Sequence, residues 1–196
     1  MEKMKICHLT SVHPRNDTRI FYKECSSLAK AGHSVTLVVA DGQGDEEKNG
    51  VHIIDSGAKP KSRITRMQQT VEKVVGKSIS INAEIFHLHD PELLRLVPKL
   101  LKHGKVIYDV HEDLPRQIMS KHWIPKFLRR SIAFISEITE NYYAGKVNGI
   151  ITATPFIKER FAKVNQRVVN INNFPKLEEF REIEQTNSGE RLACYV

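Results

Sequence analysis

The chain has 196 residues, of which 40% are hydrophobic, and its 30 lysines and arginines outnumber 23 aspartates and glutamates. This length and apolar content favour a single domain with a substantial core. The formal charge of +7 favours an anionic partner such as a phosphate, a nucleic acid or an acidic membrane surface, although charge spread over solvated helix faces explains it equally well.

Several classes of protein are excluded. His8 and His13 interrupt the apolar run that a signal peptide needs, and no segment approaches the roughly 20 apolar residues of a membrane span. Few aromatic residues are interleaved with the basic ones and no motif that reads RNA or DNA is present, which argues against nucleic-acid binding. We therefore expect a cytoplasmic protein whose Cys7 and Cys25 are buried, reduced thiols, with Cys194 far from both.

Short apolar runs alternate with longer helical patterns along the chain, as in a parallel sheet covered by helices. The predicted strands are 5–10, 34–40, 51–55, 84–89, 105–110, 149–154 and 167–172. Helices are predicted over 18–31, 62–77, 91–103, 125–144 and 155–162, the first with Asp17 as its N-cap and Gly32 after its end. The expected fold is α/β, a Rossmann-like doubly wound parallel sheet of about seven strands, with ligands beyond the carboxyl ends of the strands.

The C-terminal part has a different composition. The stretch after Asn172 is polar and charged with almost no apolar periodicity, until the sequence LACYV resembles the opening of a buried strand. We expect residues 1–175 to form the Rossmann-like domain, 176–190 to be a linker, and 191–196 to begin a second domain that has been cut away.

Four predicted strands end in polar side chains, which a doubly wound sheet brings to one crevice. They are His13, Arg15, Asn16 and Asp17 after the first strand, His87, His89 and Asp90 at the fourth, Asp109, His111, Glu112 and Asp113 at the fifth, and Thr152 and Thr154 at the sixth.

The loop after the first strand has no glycine, unlike the phosphate loop of a dinucleotide-binding protein. Its cations, His13, Arg15 and Arg19, lie beside a helix N-terminus and favour an anion, whereas Pro14 with a capping Asn16 or Asp17 suffices for a plain turn.

The sequence DVHEDLPRQ, at 109–117, flanks His111 with carboxylates. Such a set of donors and acceptors suits a hydroxyl-rich ligand such as a sugar, and a neighbouring carboxylate could hold the histidine ring. An equally weighted alternative is that Asp113 caps the next helix and His111 fills the loop. His87 and His89 alternate on a strand and could share a metal ion, but a core histidine is the commoner case, so we expect no metal site.

The stretch KHWIPKFLRRSIAFI, at 121–135, mixes aromatic and aliphatic residues with lysines and arginines. Such a pattern can lie on an anionic membrane surface. The favoured alternative is an ordinary helix whose apolar face packs in the core.

Five segments resemble, in order and spacing, the N-terminal half of family 4 retaining glycosyltransferases, which have the two-domain GT-B fold. They are HLTSVHPRNDTRIFYKECSSLAKAGHSVTLV, EIFHLHDPELL, KVIYDVHEDLPRQI, GIITATPFIKERF and VVNINNFP, and the resemblance covers roughly residues 4–175. It implies that this half holds the acceptor, while a Glu-x7-Glu motif on the absent half contacts the nucleotide-sugar donor. The missing glycine-rich loop is then explained, because the nucleotide lies mainly on the other domain.

Site roles implied by the resemblance centre on His111, which matches a histidine near the donor sugar and is the best candidate for a catalytic residue. The acceptor- and phosphate-binding candidates are His13, Arg15, Asn16, Asp17, Arg19, His89, Asp90, Glu112, Asp113 and Thr154. Many members have glycines in the first loop where this chain has none. Asn173 falls at the usual crossing to the second domain.

The implied reaction is transfer with retention to a saccharide or lipid-linked acceptor, in surface polysaccharide or lipopolysaccharide assembly at the inner face of the cell membrane. The leaving diphosphate helps to deprotonate the acceptor, so no protein nucleophile, cofactor or metal is required. The 196-residue chain alone is expected to be inactive. Two alternatives stay open, a stand-alone carbohydrate- or phosphate-binding module and a metal-dependent hydrolase.

Overall fold

A computed structural model describes residues 2–60 and 66–175, which form one sheet of eight strands in the order β3-β4-β2-β1-β5-β6-β7-β8. The strands are β1 Lys5–Leu9, β2 Ser34–Val39, β3 Glu46–Lys48, β4 Val51–Asp55, β5 Ile85–Leu88, β6 Lys105–Val110, β7 Gly149–Thr152 and β8 Val168–Asn170. All neighbours run parallel except β3 and β4. The strand order reverses between β1 and β5, which is where ligands bind in folds of this kind.

The described residues contain six helical segments. α1 is a π-helix over Thr18–Cys25 and an α-helix over Ser26–Lys30, α2 joins a π-helical Arg66–Thr70 to Val71–Ser80, and α3 joins a 3₁₀ turn, Pro91–Leu96, to Val97–Leu100. α4 is Leu114–Ser120, α5 is Lys126–Ala144 and α6 is Pro155–Phe161. None of the helices within residues 2–60 and 66–175 combines the length and apolar character that a bilayer-spanning segment requires.

Helices cover both faces of the sheet, so the central strands are buried on both sides. Alternate residues of β2 divide between two cores: Leu37 packs in the core formed with α1, and Val38 in the larger core formed with α2, α3 and the ends of α5 and α6. In β1, Cys7 and Leu9 also belong to the larger core. His8 lies between them in sequence and therefore points to the opposite face, toward α1.

The prediction of a Rossmann-like α/β sheet is confirmed, and all seven predicted strands are present. The eighth strand, β3, was not predicted because its three residues are charged and exposed. The cap of α1 is as predicted, since Asp17 Oδ1 accepts hydrogen bonds from the backbone N–H groups of Arg19 and Ile20 at 2.9 Å each. Gly32 follows α1 with φ +91°, a conformation that favours glycine.

Cys7 and Cys25 are buried, as predicted, and burial raises the pKa of both thiols. Cys194, the predicted linker at 176–190 and the predicted strand at 191–196 lie outside the described residues.

The expectation that the helix after residue 125 buries its apolar face is wrong. Within α5, only Ala133, Glu140 and Ala144 are buried. Phe127, Phe134 and Ile138 share one side of the helix by their spacing and are 80%, 63% and 53% exposed. The preceding Ile124 does pack inward, against Ile118 and Ala133.

Candidate functional site

The first loop is held against β5 by a buried carboxylate. Asp90 Oδ2 accepts hydrogen bonds from the Ser11 backbone N–H at 2.5 Å, the Thr10 hydroxyl at 3.0 Å and the Ser11 hydroxyl at 3.1 Å. Its Oδ1 lies 3.5 Å from Nε2 of His13. Asp90 is thus engaged in fixing the loop where it leaves β1.

At the end of β6, Asp109 is a fully buried acceptor for three side chains. Arg19 approaches it with two nitrogens, Nη2 at 2.7 Å from Oδ1 and Nε at 3.1 Å from Oδ2, and His111 Nε2 lies 2.8 Å from Oδ2. His89 Nδ1 is 3.3 Å from the same oxygen. Burial alone would raise the pKa of Asp109, but hydrogen bonds from His111, His89 and Arg19 outweigh it and hold the pKa well below its usual value.

Because the ionised Asp109 can only accept, it fixes the orientation of His111. The proton of His111 then lies on Nε2, toward Asp109, and Nδ1 is left for another partner. The side chain of His111 is 17% exposed. Arg19 also reaches Glu24 Oε1 at 3.1 Å and the backbone oxygen of Ile171 at 3.3 Å, so its guanidinium serves to position its neighbours.

His111 opens into a cleft of about 300 Å³ that gathers residues from the starts of α1 and α4 and the end of β7. The cleft is lined by Asp17, Thr18, Arg19, His111, Glu112, Ala153 and Asn173. His13 stands behind it, with its ring centroid 5.2 Å from that of His111. Its Nδ1 lies 3.2 Å from Asp17 Oδ2, and the hydrogen bond to Asp17 raises the pKa of His13.

Other predicted site residues lie elsewhere. Arg15 and Asn16 line a separate cleft of about 410 Å³, where Asp41 binds Arg15 through Nε at 2.7 Å and Nη2 at 2.6 Å. Asp113 begins α4 without capping it through its side chain, which pairs with Arg116 at 2.8 Å and Arg160 at 3.4 Å.

Two further candidates have structural partners. Thr154 is the N-cap of α6, with its hydroxyl accepting from the backbone N–H of Ile157 at 3.3 Å. His89 is 2% exposed and therefore lies beneath the cleft instead of lining it. Its Nε2 is 2.9 Å from Nδ1 of His8.

Glu24 and His8 are absent from the predicted site residues. Burial and the charge of the nearby Asp109 together raise the pKa of Glu24 to about 9. The available signals were a polar residue within the apolar run of β1, His8, and an acid on the buried side of α1, Glu24.

Comparisons with known proteins agree with this architecture. The family model described as Glycosyltransferase Family 4 matches residues 18–178. No curated protein matches the chain. A solved sucrose-phosphate synthase from Thermosynechococcus elongatus is similar with a TM-score of 0.67 and 10% identity, over 90% of this chain and 49% of that one.

A second solved chain titled as that synthase has a TM-score of 0.58 and 11% identity, over 90% of this chain and 92% of that one. The chain spans about half the length of the first of these structures. The structural likeness gives the fold, one Rossmann-like half of a GT-B enzyme, and the family model covers most of the sequence. The chain belongs to glycosyltransferase family 4.

Proposed function

We propose that this domain binds the acceptor of a retaining glycosyltransferase in the cleft beside His111. The observation that supports the proposal is the Arg19–Asp109–His111 chain of hydrogen bonds, which ends at the cleft beside the point where the strand order reverses. The buried Asp109 carboxylate fixes the orientation of the His111 ring. The ring therefore presents its other nitrogen to the cleft in one direction, where it can bind a polar group of a ligand.

The charges of the cleft favour hydroxyl groups over phosphate. The carboxylates of Asp17 and Glu112 line it, and Asp17 already accepts the N–H groups of Arg19 and Ile20 that an anion would use. Arg19 is bound to Asp109. Carboxylate oxygens accept hydrogen bonds from sugar hydroxyls and repel phosphate, so a saccharide acceptor suits this cleft.

In the proposed reaction, the bond between the anomeric carbon and the diphosphate oxygen of a nucleotide-sugar breaks. A bond to the acceptor oxygen forms on the same face, and the acceptor proton passes to the leaving diphosphate. His111 would hold a hydroxyl of the acceptor by a hydrogen bond at Nδ1, next to the donor sugar, while Asp109 keeps its ring in place. The donor nucleotide is assigned to a second domain, and neither a cofactor nor a catalytic metal is required.

The wider role is surface polysaccharide or lipopolysaccharide assembly on a lipid-linked acceptor, with the protein at the inner face of the membrane. Exposed Trp123 and Phe127 support membrane contact, since basic Lys126, Arg129 and Arg130 are close to them in sequence. Aromatic side chains beside lysines and arginines suit an anionic lipid surface.

Binding by the 196-residue chain tests the acceptor cleft. NMR titrations with a panel of neutral oligosaccharides and with inorganic phosphate should show shifts at the cleft for a saccharide but not for phosphate. His111→Ala should weaken saccharide binding by about tenfold, the loss of roughly one hydrogen bond to a polar ligand. His52→Ala is the matched control, because His52 is exposed on β4. Phosphate binding without saccharide binding would contradict the proposal.

The transferase role needs the rest of the reading frame. A following Rossmann-like domain with a Glu-x7-Glu motif would support it, and the extended protein should yield a product that retains the donor's anomeric configuration. The 196-residue chain alone should transfer no sugar. A stop codon directly after residue 196 would favour a binding module instead.

A further inference from the structure

Three imidazoles lie together beneath α1, behind the cleft. His8 on β1 is paired in register with His87 on β5, and His89 at the end of β5 lies on the same face of the sheet. The ring centroids are 4.5 Å apart for His8 and His87 and 4.7 Å for His87 and His89. All three are buried, and Glu24 of α1 places Oε2 3.9 Å from Nε2 of both His87 and His89.

Polar atoms without partners concentrate in this cluster. Among the described residues, four buried side-chain nitrogen or oxygen atoms have no hydrogen-bond partner, and three of them are His8 Nε2, His87 Nε2 and Glu24 Oε2. Buried polar atoms in proteins are almost always satisfied, and each exception calls for an explanation such as an ion. Three such atoms at one place form a candidate ligand site.

A relay of hydrogen bonds prepares His8 as a ligand. Asp109 binds Arg19 through two nitrogens and accepts from Nδ1 of His89 at 3.3 Å, so the lone pair of His89 lies on Nε2. That atom is 2.9 Å from Nδ1 of His8, which must then carry the proton. The lone pair of His8 therefore lies on Nε2, the unpartnered atom. Histidines that bind metals commonly donate their other N–H toward a carboxylate in this way.

The π-helical part of α1 explains why Glu24 faces the histidines. A π-helix places residues five apart above one another, and Arg19 and Glu24 are five apart, with Nε and Oε1 3.1 Å from each other. In a regular α-helix these two residues would be about 140° apart around the axis. The wide turn leaves Glu24 Oε2 directed at the histidines, and π-helical turns occur often at functional sites.

We propose that His8, Glu24 and His87 bind one divalent transition-metal ion, which ties α1 to β1 and β5. One ligand atom from each of these residues and from His89 lies within 4.8 Å of all the others. Two imidazoles and a carboxylate favour zinc over calcium or magnesium, which prefer oxygen ligands. His89 orients His8, and the ion lies apart from the sugar cleft, so its proposed role is structural.

Metal content tests the site directly. The untagged 196-residue chain is stripped with EDTA, incubated with zinc, passed over a desalting column and analysed for bound metal. We expect one zinc per chain and a raised melting temperature. His8→Gln, His87→Gln and Glu24→Gln should each weaken zinc binding by about 100-fold or more. His52→Gln, on an exposed histidine, should bind zinc like the unaltered chain.

Cobalt provides a measurement that needs no variant. The unaltered chain with Co²⁺ should show the visible absorption of a four- or five-coordinate nitrogen and oxygen site. Far-UV circular dichroism of each variant establishes whether it folds, and the cobalt spectrum decides the question if the core variants do not. No zinc retained and no such spectrum, or equal zinc binding by folded His8→Gln and His87→Gln chains, would overturn the proposal.

Discussion

Separating Arg19 from Asp109 should destabilise the domain more than any exposed ion pair does. Their side chains are 7% and 0% exposed and make two short contacts, at 2.7 and 3.1 Å. Removing one member of a buried pair leaves the other charge uncompensated, at a cost of about 3–5 kcal/mol. With a urea slope of roughly 2 kcal/mol per molar, the unfolding midpoint should fall by about 2 M.

The assay is a double-mutant cycle followed by circular dichroism in urea at pH 7.5, with Arg19→Gln, Asp109→Asn and the double variant. Since the double variant leaves no unpaired charge, its cost should be smaller than the sum of the single costs by about 1–3 kcal/mol. Arg116→Gln is the control, because Arg116 is 63% exposed and its loss should cost at most about 1 kcal/mol.

Additivity would refute this reasoning. If the two single costs sum to the double cost within about 0.5 kcal/mol, the two groups do not depend on each other for burial. Single costs below about 1 kcal/mol would likewise mean that water reaches the pair.

Three further predictions concern other contacts. Burial alone would raise the pKa of Asp17, but hydrogen bonds from His13 and the Ile20 N–H lower it to about 2. A lowered acid pKa stabilises the fold above about pH 4, and this stabilisation disappears as the pH falls through 2, so Asp17→Asn should cost about 1–2 kcal/mol at pH 7 and little below pH 2 in urea titrations. Tyr108→Phe removes the buried hydrogen bond to Glu140 Oε1, 2.9 Å long, and should lower the unfolding free energy by about 1–3 kcal/mol in thermal melts; an unchanged melting temperature would contradict the contact. Gly104→Ala would place a Cβ 2.8 Å from the backbone oxygens of Ala83 and Glu84, so a loss of about 1–3 kcal/mol is expected in urea, and full retention of stability would show that the backbone yields there.

The fold followed from the apolar runs because a parallel sheet buries its strands on both faces. β7 is shorter than predicted, ending at Thr152 instead of residue 154, since Thr154 begins α6 as its cap. β3 consists only of Glu46, Glu47 and Lys48 and is a strand because it pairs with β4. No local sequence pattern indicates this pairing.

The sequence predicted only that part of the candidate site which follows from the residues at the carboxyl ends of the strands. Asp17, Arg19, His111 and Glu112 do line one cleft. Arg15 does not join them, because Asp41 at the end of the neighbouring β2 binds it, and a sequence does not reveal such a pairing across 26 residues. Glu24 escaped notice because α-helical spacing places it away from Arg19, whereas the π-helix aligns the two.

The histidines of β1 and β5 also bear on how the strands align. β1 alternates Cys7 and Leu9, in the larger apolar core, with His8 on the opposite face beneath α1, and β5 pairs with it residue for residue. A shift of either strand by one position would push an imidazole into the apolar core and leave Asp109 and His89 without their partners. A sheet misaligned by one position therefore carries buried polar groups that nothing satisfies, and this disfavours that register for the pairing of β1 with β5.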